Sequence, residues 1–250
     1  MTQSSDKNKP SLKANFPGNV QLISTTRYFN GAGKACSDKT GYTDFNLATH
    51  VGDNPQTVVR NRAQLIQRFN LPAEPKYLEQ VHSNICLDAS SAECVGDAVI
   101  TKEKGVVCAV LTADCLPIFI SNHSGTQVAV AHAGWKGVLN GIIEATIAKF
   151  NQQDLLVHFG PAISQENFEV GQDVFDQFVN KSQTLEKAFI PFKDKYKLDI
   201  YQAASIILND LGVKNISGGD QCTFAQADQY FSYRRDGAQS GRMAHLIWME

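Results

Sequence analysis

Between Tyr77 and Phe159 the chain runs through a succession of short β-type segments, each closed off by turn residues, and this succession most restricts the folds open to it. The runs are Tyr77–His82, Ala98–Thr101, Val106–Thr112, Pro117–Ser121, Gln127–His132 and Leu155–Phe159. Before them, Val20–Thr26 reads as a strand and is followed by a loop with Gly31, Gly33 and Gly41. Asp53-Asn54-Pro55 marks a helix start, with Val58, Val59, Arg62, Leu65, Ile66 and Phe69 at helical spacing, and Leu71-Pro-Ala-Glu-Pro75 stops it. Gly137–Phe150, Val170–Val179 and Ile200–Leu211 read as helices, and His245–Met249 as a final strand. Strands with helices before, between and after them predict a layered α/β or α+β domain with mixed sheets. No repeat or linker divides the chain, so residues 19–250 are expected to form a single catalytic domain behind a flexible arm, 1–18.

Hydrophobic residues make up 43% of the chain and charged residues 19%, enough apolar material for a sizeable core. The net charge is -2 and no long basic run exists, which excludes a general nucleic-acid surface. The longest apolar stretches, Val106–Leu111 and Leu116–Ile120, are far too short to span a bilayer. Met1–Gly18 has no apolar signal-peptide core, so a cytoplasmic protein without membrane partners is expected. The six cysteines, at 36, 86, 94, 108, 115 and 222, show neither disulfide-framework spacing nor a C-x-x-C pair.

Three segments bring a reactive side chain to the end of an apolar run: Glu79-Gln-Val-His82, Thr112-Ala-Asp-Cys115-Leu-Pro117 and Ala131-His132-Ala-Gly-Trp-Lys-Gly137. One thiolate and two imidazoles suit a borderline-soft divalent ion such as zinc, and three protein ligands leave a fourth position open for water or substrate. Singly, each of the three also fits a structural role. Asp114, beside the thiol, fits an orienting partner for a ligand histidine, a general base, or a turn-forming cap of local amides.

In order along the chain stand Gln80-Val-His82, Thr112-Ala-Asp-Cys-Leu-Pro117, His132-Ala-Gly-Trp-Lys-Gly137, Gly160-Pro-Ala-Ile163, Phe231-Ser-Tyr-Arg-Arg-Asp236 and Gly241-Arg-Met243. This joint pattern resembles the YfiH family of laccase-domain, or multicopper polyphenol oxidase-type, proteins, now described as purine nucleoside phosphorylases with adenosine deaminase activity. The resemblance covers about Thr26 to Trp248. It implies an α/β/β/α layered fold similar to that of bacterial toxins which deamidate proteins with a Cys-His pair. It also implies a metal held by His82, Cys115 and His132, with zinc the expected ion and copper the other candidate. Nucleoside and phosphate would be the small-molecule partners. Where family members often carry cysteines after Gly160-Pro-Ala-Ile163, this chain has Ser164-Gln-Glu-Asn167, which does not support a second metal or redox role there. Two alternatives accompany the resemblance: a Cys-His amide hydrolase acting on peptidoglycan precursors, and a copper-dependent polyphenol oxidase. The chain has only three methionines, of which Met243 alone sits in a motif, and six histidines, too few for a histidine-rich trinuclear copper cluster.

Arginine suits phosphate because its fork matches oxyanion geometry. The candidates are Arg27, Arg62, Arg234, Arg235 and Arg242, with Lys136 near His132 as a further cation. Trp135, Phe231 and Tyr233 are candidates to stack a purine, with core packing the alternative, and Asn46 is a candidate for a sugar hydroxyl. His50 either approaches the site or caps a turn, while His158 and Cys108 are expected in the core.

Overall fold

The computed structural model describes residues 14–29, 41, 42, 44–151 and 154–250. Gly31, Gly33, Cys36 and residues 1–13 of the expected arm lie outside them. Residues 14–18 run against the protein body, where Ala14 and Phe16 pack on a core cluster.

The strands are β1 (Val20–Ser24), β2 (Cys86–Asp88), β3 (Ala98–Thr101), β4 (Cys108–Thr112), β5 (Leu116–Asn122), β6 (Val128–Ala133), β7 (Leu155–Phe159), β8 (Glu169–Val170), β9 (Phe189–Phe192), β10 (Lys195–Leu198), β11 (Asn215–Gly218) and β12 (Met243–Met249). The α-helices are α1 (Pro55–Phe69), α2 (Trp135–Asn140), α3 (Ile142–Ile147), α4 (Gln172–Lys181), α5 (Ile200–Asp210) and α6 (Tyr233–Asp236). A six-stranded sheet has the order β11-β7-β5-β6-β3-β2, and a three-stranded sheet the order β1-β12-β4. A third, small sheet, β8-β10-β9, is inserted in the chain between β7 and β11 of the large one.

Alternation along the strands builds the layers. Cys108, Val110, Ile247 and Met249 of the smaller sheet meet Val99, Phe119, Val128 and Val130 of the larger one. The opposite faces of the same strands carry Ala109, Leu111, Leu246 and Trp248, which pack on Leu65 and Phe69 of α1. Ile118, Ile120, Ala129 and Ala131, on the far face of the large sheet, pack on Ile142 and Ile143 of α3 and Ala203, Ala204 and Ile207 of α5. Because successive side chains point to opposite faces, strands covered on both sides are apolar at every position. The result is helix, sheet, sheet, helix, a mixed α/β fold as expected.

Asn54 caps α1, its side chain accepting from the amides of Gln56 and Thr57, with Pro55 in the first turn. The helix expected over Gly137–Phe150 is instead two. Gly141 adopts φ 91°, ends α2 and begins α3, a left-handed backbone that glycine takes without a steric penalty. Tyr77–His82 is not a ladder strand either. It makes one isolated bridge, Glu79 to Val95, and Lys76 just before it makes another, to Cys108. The Gln80 carboxamide stands in for a backbone partner, donating to Leu111 O at 2.9 Å and accepting from Leu111 N at 2.7 Å. No helix among the described residues is long and apolar enough to cross a membrane.

Candidate active site

β5 and β6 form an antiparallel pair with Leu116 opposite Ala133 and Pro117 opposite His132. That register places Cys115, one residue before β5, beside Gly134, one residue after β6. β3 pairs with the other edge of β6, Ala98 opposite Ala131, which brings Asp97 to the level of His132. The third ligand candidate, His82, arrives on the extended segment that precedes β2.

Asp97 organises the group. Its carboxylate is fully buried and accepts from His132 Nδ1 at 2.8 Å, from the amides of Val81, His82 and Ser83 at 3.2, 3.0 and 2.6 Å, and from Ser83 Oγ at 2.8 Å. Consecutive amides converging on one anion form a nest, and this one holds His82 at φ 59°, a left-handed backbone uncommon for histidine. Burial by itself raises the Asp97 carboxyl, but the bonds from His132 and Ser83 outweigh it and bring it down to about 2. Anchoring Nδ1 of His132 leaves Nε2 for the site. The orienting role considered for Asp114 thus belongs to Asp97, which the motif reading missed. Its signal was an acidic residue directly before the apolar run Ala98–Ile100.

His82 Nε2 lies 4.0 Å from Cys115 Sγ, and the ligand atoms of His82, Cys115 and His132 all lie within 4.8 Å of one another. The two imidazoles meet edge to face, centroids 4.8 Å apart. Burial raises the Cys115 thiol and lowers the His132 imidazole, yet their mutual attraction prevails, with Asp97 behind His132. The thiol falls below its ordinary value and the imidazole rises above its own. A Cβ placed on Gly134 would stand 2.8 Å from Cys115 Sγ and 3.0 Å from His82 Cδ2, so the absence of a side chain there keeps the triangle clear. Two imidazoles and a polarised thiol around a cleared centre fit a zinc-type ion, and a modest closure reaches the ~3.5 Å spacing of tetrahedral N and S ligands. Among the described residues no other group of three or more His, Cys, Asp or Glu side chains is so placed.

The triangle opens into a cavity of about 460 Å³ walled by Trp135, Ile163, Phe168, Ile200 and Tyr233, with Lys136, Arg234, Arg242 and His50 also on its wall. Asp114 reaches the wall, but its carboxylate is engaged by Thr223 Oγ1 at 2.6 Å, Ser232 Oγ at 3.0 Å and Arg234 N at 2.7 Å. Those bonds support its φ of 85° and tie the 223–234 segment to the thiol loop. Asp114 therefore does not cap local amides: it clamps a segment more than a hundred residues away through two hydroxyls and one amide.

The other candidates separate. Asn46 is buried away from the cavity, its side chain spent on Ala48, Asp53 and the Arg242 amide. Arg62 lies 3.8 Å over the Tyr77 ring and donates to Leu47 O, off the cavity wall. Arg235 is bound to Asp236 and to the carbonyls of Thr223, Phe224 and Tyr230. Phe231 and Met243 are fully buried together with Ala113 and Tyr230. His158 bonds Ser217 within the large sheet, and Cys108 is buried, both as expected. Ser164 and Asn167, in place of the family's cysteines, donate to Cys222 Sγ.

Comparison with known proteins follows the same lines. Residues 26–250 match the family described as multi-copper polyphenol oxidoreductase laccase. The chain belongs to this family. It is 42% identical to a purine nucleoside phosphorylase of Haemophilus influenzae over 94% of this chain and 97% of that one. It is 45% identical to the purine nucleoside phosphorylase YfiH of Escherichia coli over 83% of this chain and 87% of that one. The crystal structure of Neisseria meningitidis protein NMB0706 superposes with a TM-score of 0.87 at 42% identity, covering 97% of this chain and all of that one. That of Bacillus licheniformis YfiH gives 0.82 at 25% identity, over 92% and 93%. The two solved structures thus share the fold of this chain.

Proposed function

We propose that this protein is a purine nucleoside phosphorylase that also deaminates adenosine in the same cavity, with a divalent ion, zinc by preference, held by His82, Cys115 and His132. The convergence of those three side chains on the wall of a cavity large enough for a nucleoside carries the reading. A bound ion would supply Lewis acidity toward an anionic oxygen. In phosphorolysis a phosphate oxygen bonds to the ribose C1′ as the bond from C1′ to the purine nitrogen breaks. The electron pair leaves with the base, which takes up a proton. Trp135 and Tyr233 offer ring faces to the purine, and Ile163, Phe168 and Ile200 exclude water around it. Asp97 fixes the tautomer and tilt of His132. Deamination, in which water replaces the amino group as ammonia, needs no phosphate.

A second reading rests on a specific alignment. Cys115, His132 and Asp97 also stand in the order nucleophile, base and orienting carboxylate of a thiol hydrolase. His82, also within reach of Sγ, has no task in that mechanism and favours the first reading. The test is turnover of inosine with and without phosphate, scored by ribose 1-phosphate and free base, for wild type and Cys115→Ala. Phosphate-dependent release of base, lost in the variant together with the bound ion, is expected. Amide cleavage blocked by thiol alkylation in metal-free protein, without phosphorolysis, would establish the hydrolase instead.

A further inference from the structure

Five arginines are candidates to hold an anion, and their side-chain bonds sort them. Arg235 is saturated by Asp236 and backbone carbonyls. Arg62 and Arg27 lie on aromatic rings off the cavity wall. Arg234 is on the wall, yet both of its terminal nitrogens donate to Glu169 O, and its side chain is exposed. Arg242 differs. It is half-buried on the cavity wall, its Cζ 5.8 Å from the centre of the Tyr233 ring that also faces the cavity, and of its side-chain nitrogens Nη1 alone donates, to the carbonyls of Ser240 and Gly241 at 2.6 and 3.0 Å. Among the described residues no carboxylate pairs with it. The Cys115 sulfur and Asp114 act on it only at longer range, the Asp114 oxygens being already taken by Thr223, Ser232 and Arg234.

Carbonyl partners hold a guanidinium in place without neutralising it, so Arg242 offers a full charge and two unassigned nitrogens, Nε and Nη2. Its root is rigid. The Arg242 amide donates to Asn46 Oδ1 at 2.9 Å, and Asn46 is pinned by Asp53, Ala48 and Asn61. The next residue, Met243, is locked opposite Thr112 in β12. A half-buried cation without a counter-ion carries a desolvation cost that an incoming anion relieves. His50, also on the wall, is held below its ordinary value by burial and by the charges of Arg242 and Arg62. Its charged form is thereby disfavoured, and what it brings to the wall is an N–H. Trp135, Phe168 and Ile200 of the wall pack with the large-sheet core, whereas Arg242 directly precedes β12 of the smaller sheet. Base and anion thus have separate sources of recognition.

We propose that Arg242, with His50 beside it, anchors the attacking phosphate, and that Asn46 is a positioning residue that sets the guanidinium. This rests on the phosphorylase reading for the use of the anion, not for its binding. The test uses the protein as purified, with inorganic phosphate as the probe. Phosphate affinity is measured by titration calorimetry, and steady-state constants with inosine, for wild type, Arg242→Gln and Arg242→Lys. The Gln variant is expected to raise both Kd and KM for phosphate by about 10-fold or more, with the KM for inosine changed less than about 3-fold. The Lys variant keeps charge and loses the fork, and falls between. It decides the matter if the Gln variant does not fold. Unchanged phosphate Kd and KM in a variant with wild-type Tm overturn the assignment, as does a wild type that does not bind phosphate. Arg242-dependent phosphate binding without phosphorolysis would keep the anion site and sink the phosphorylase reading.

Discussion

Replacing Gly134 by Ala puts the metal-site reading under direct strain. Gly134 sits at φ -63° and ψ 159°, a backbone open to any residue, so the change carries no conformational penalty. Alanine is a poorer helix cap than glycine, but it loses less freedom on folding. These effects are each roughly 0.5–1 kcal/mol and of opposite sign. The new methyl, however, would lie 2.8 Å from Cys115 Sγ and 3.0 Å from His82 Cδ2. Ordinary contact needs about 3.5–4.0 Å, so sulfur and ring must retreat by roughly 0.5–1 Å. Ligand distances tolerate only about 0.2 Å. Expected is a Tm close to wild type, or lowered by an overpacking cost of about 1–3 kcal/mol, with zinc affinity reduced by at least about 100-fold. Elemental analysis and competition with a chromophoric chelator measure this, and circular dichroism checks the fold. An alanine variant that keeps one ion per chain at wild-type affinity would refute the reasoning, because the ion could not then lie among these three side chains.

Further outcomes follow from the same geometry. Asp97→Asn removes the charge that holds His132 and three amides, and zinc affinity should fall about 10- to 100-fold by the same competition assay. Asp114→Asn should cost about 1–3 kcal/mol in urea unfolding while the pH profile of kcat keeps its shape. A collapse of kcat at unchanged stability would restore Asp114 as a base. His245, buried between Ser24 Oγ and Thr112 Oγ1 at 2.8 Å each, is brought from 6.5 down to about 3 by burial, with the His132 charge adding to it. The folded state resists protonation, so this contribution is constant above about pH 6.5 and is lost as the pH falls toward 3, at about 1.4 kcal/mol per unit. His245→Gln should therefore lose about 3 kcal/mol less stability than wild type between pH 6.5 and 4.5. Equal losses in urea titrations would count against the burial argument.

The longer helices and most strands were legible because their apolar periodicity reflects one covered face or two, whereas α6 is a single turn of four residues and was not. The His82, Cys115 and His132 set was legible because its residue types are rare together at the ends of apolar runs. Tyr77–His82 misled because Gln80 serves Leu111 through its side chain, which composition does not distinguish from strand pairing. β2 and β8 to β11 were missed because they are two to four residues long, too short to show a period. Asp97 escaped notice because its value lies in its register with His132, a relation that exists only once β3 and β6 pair. Asn46 and Arg235 sit in polar segments typical of binding loops, and only their hydrogen bonds reveal that they are spent internally.

The smaller sheet inserts β12 between β1 and β4, so Val20 pairs with Met249 across more than two hundred residues. The triangle of candidate ligands, by contrast, is drawn from residues 82–132, on or beside strands of the large sheet. Contacts between near segments form before those that close long loops. A folding chain is therefore expected to bring His82, Cys115 and His132 together before Arg242 reaches the cavity. Were the proposed ion to bind at that stage, it would stabilise the half that forms first, ahead of the proposed anion site.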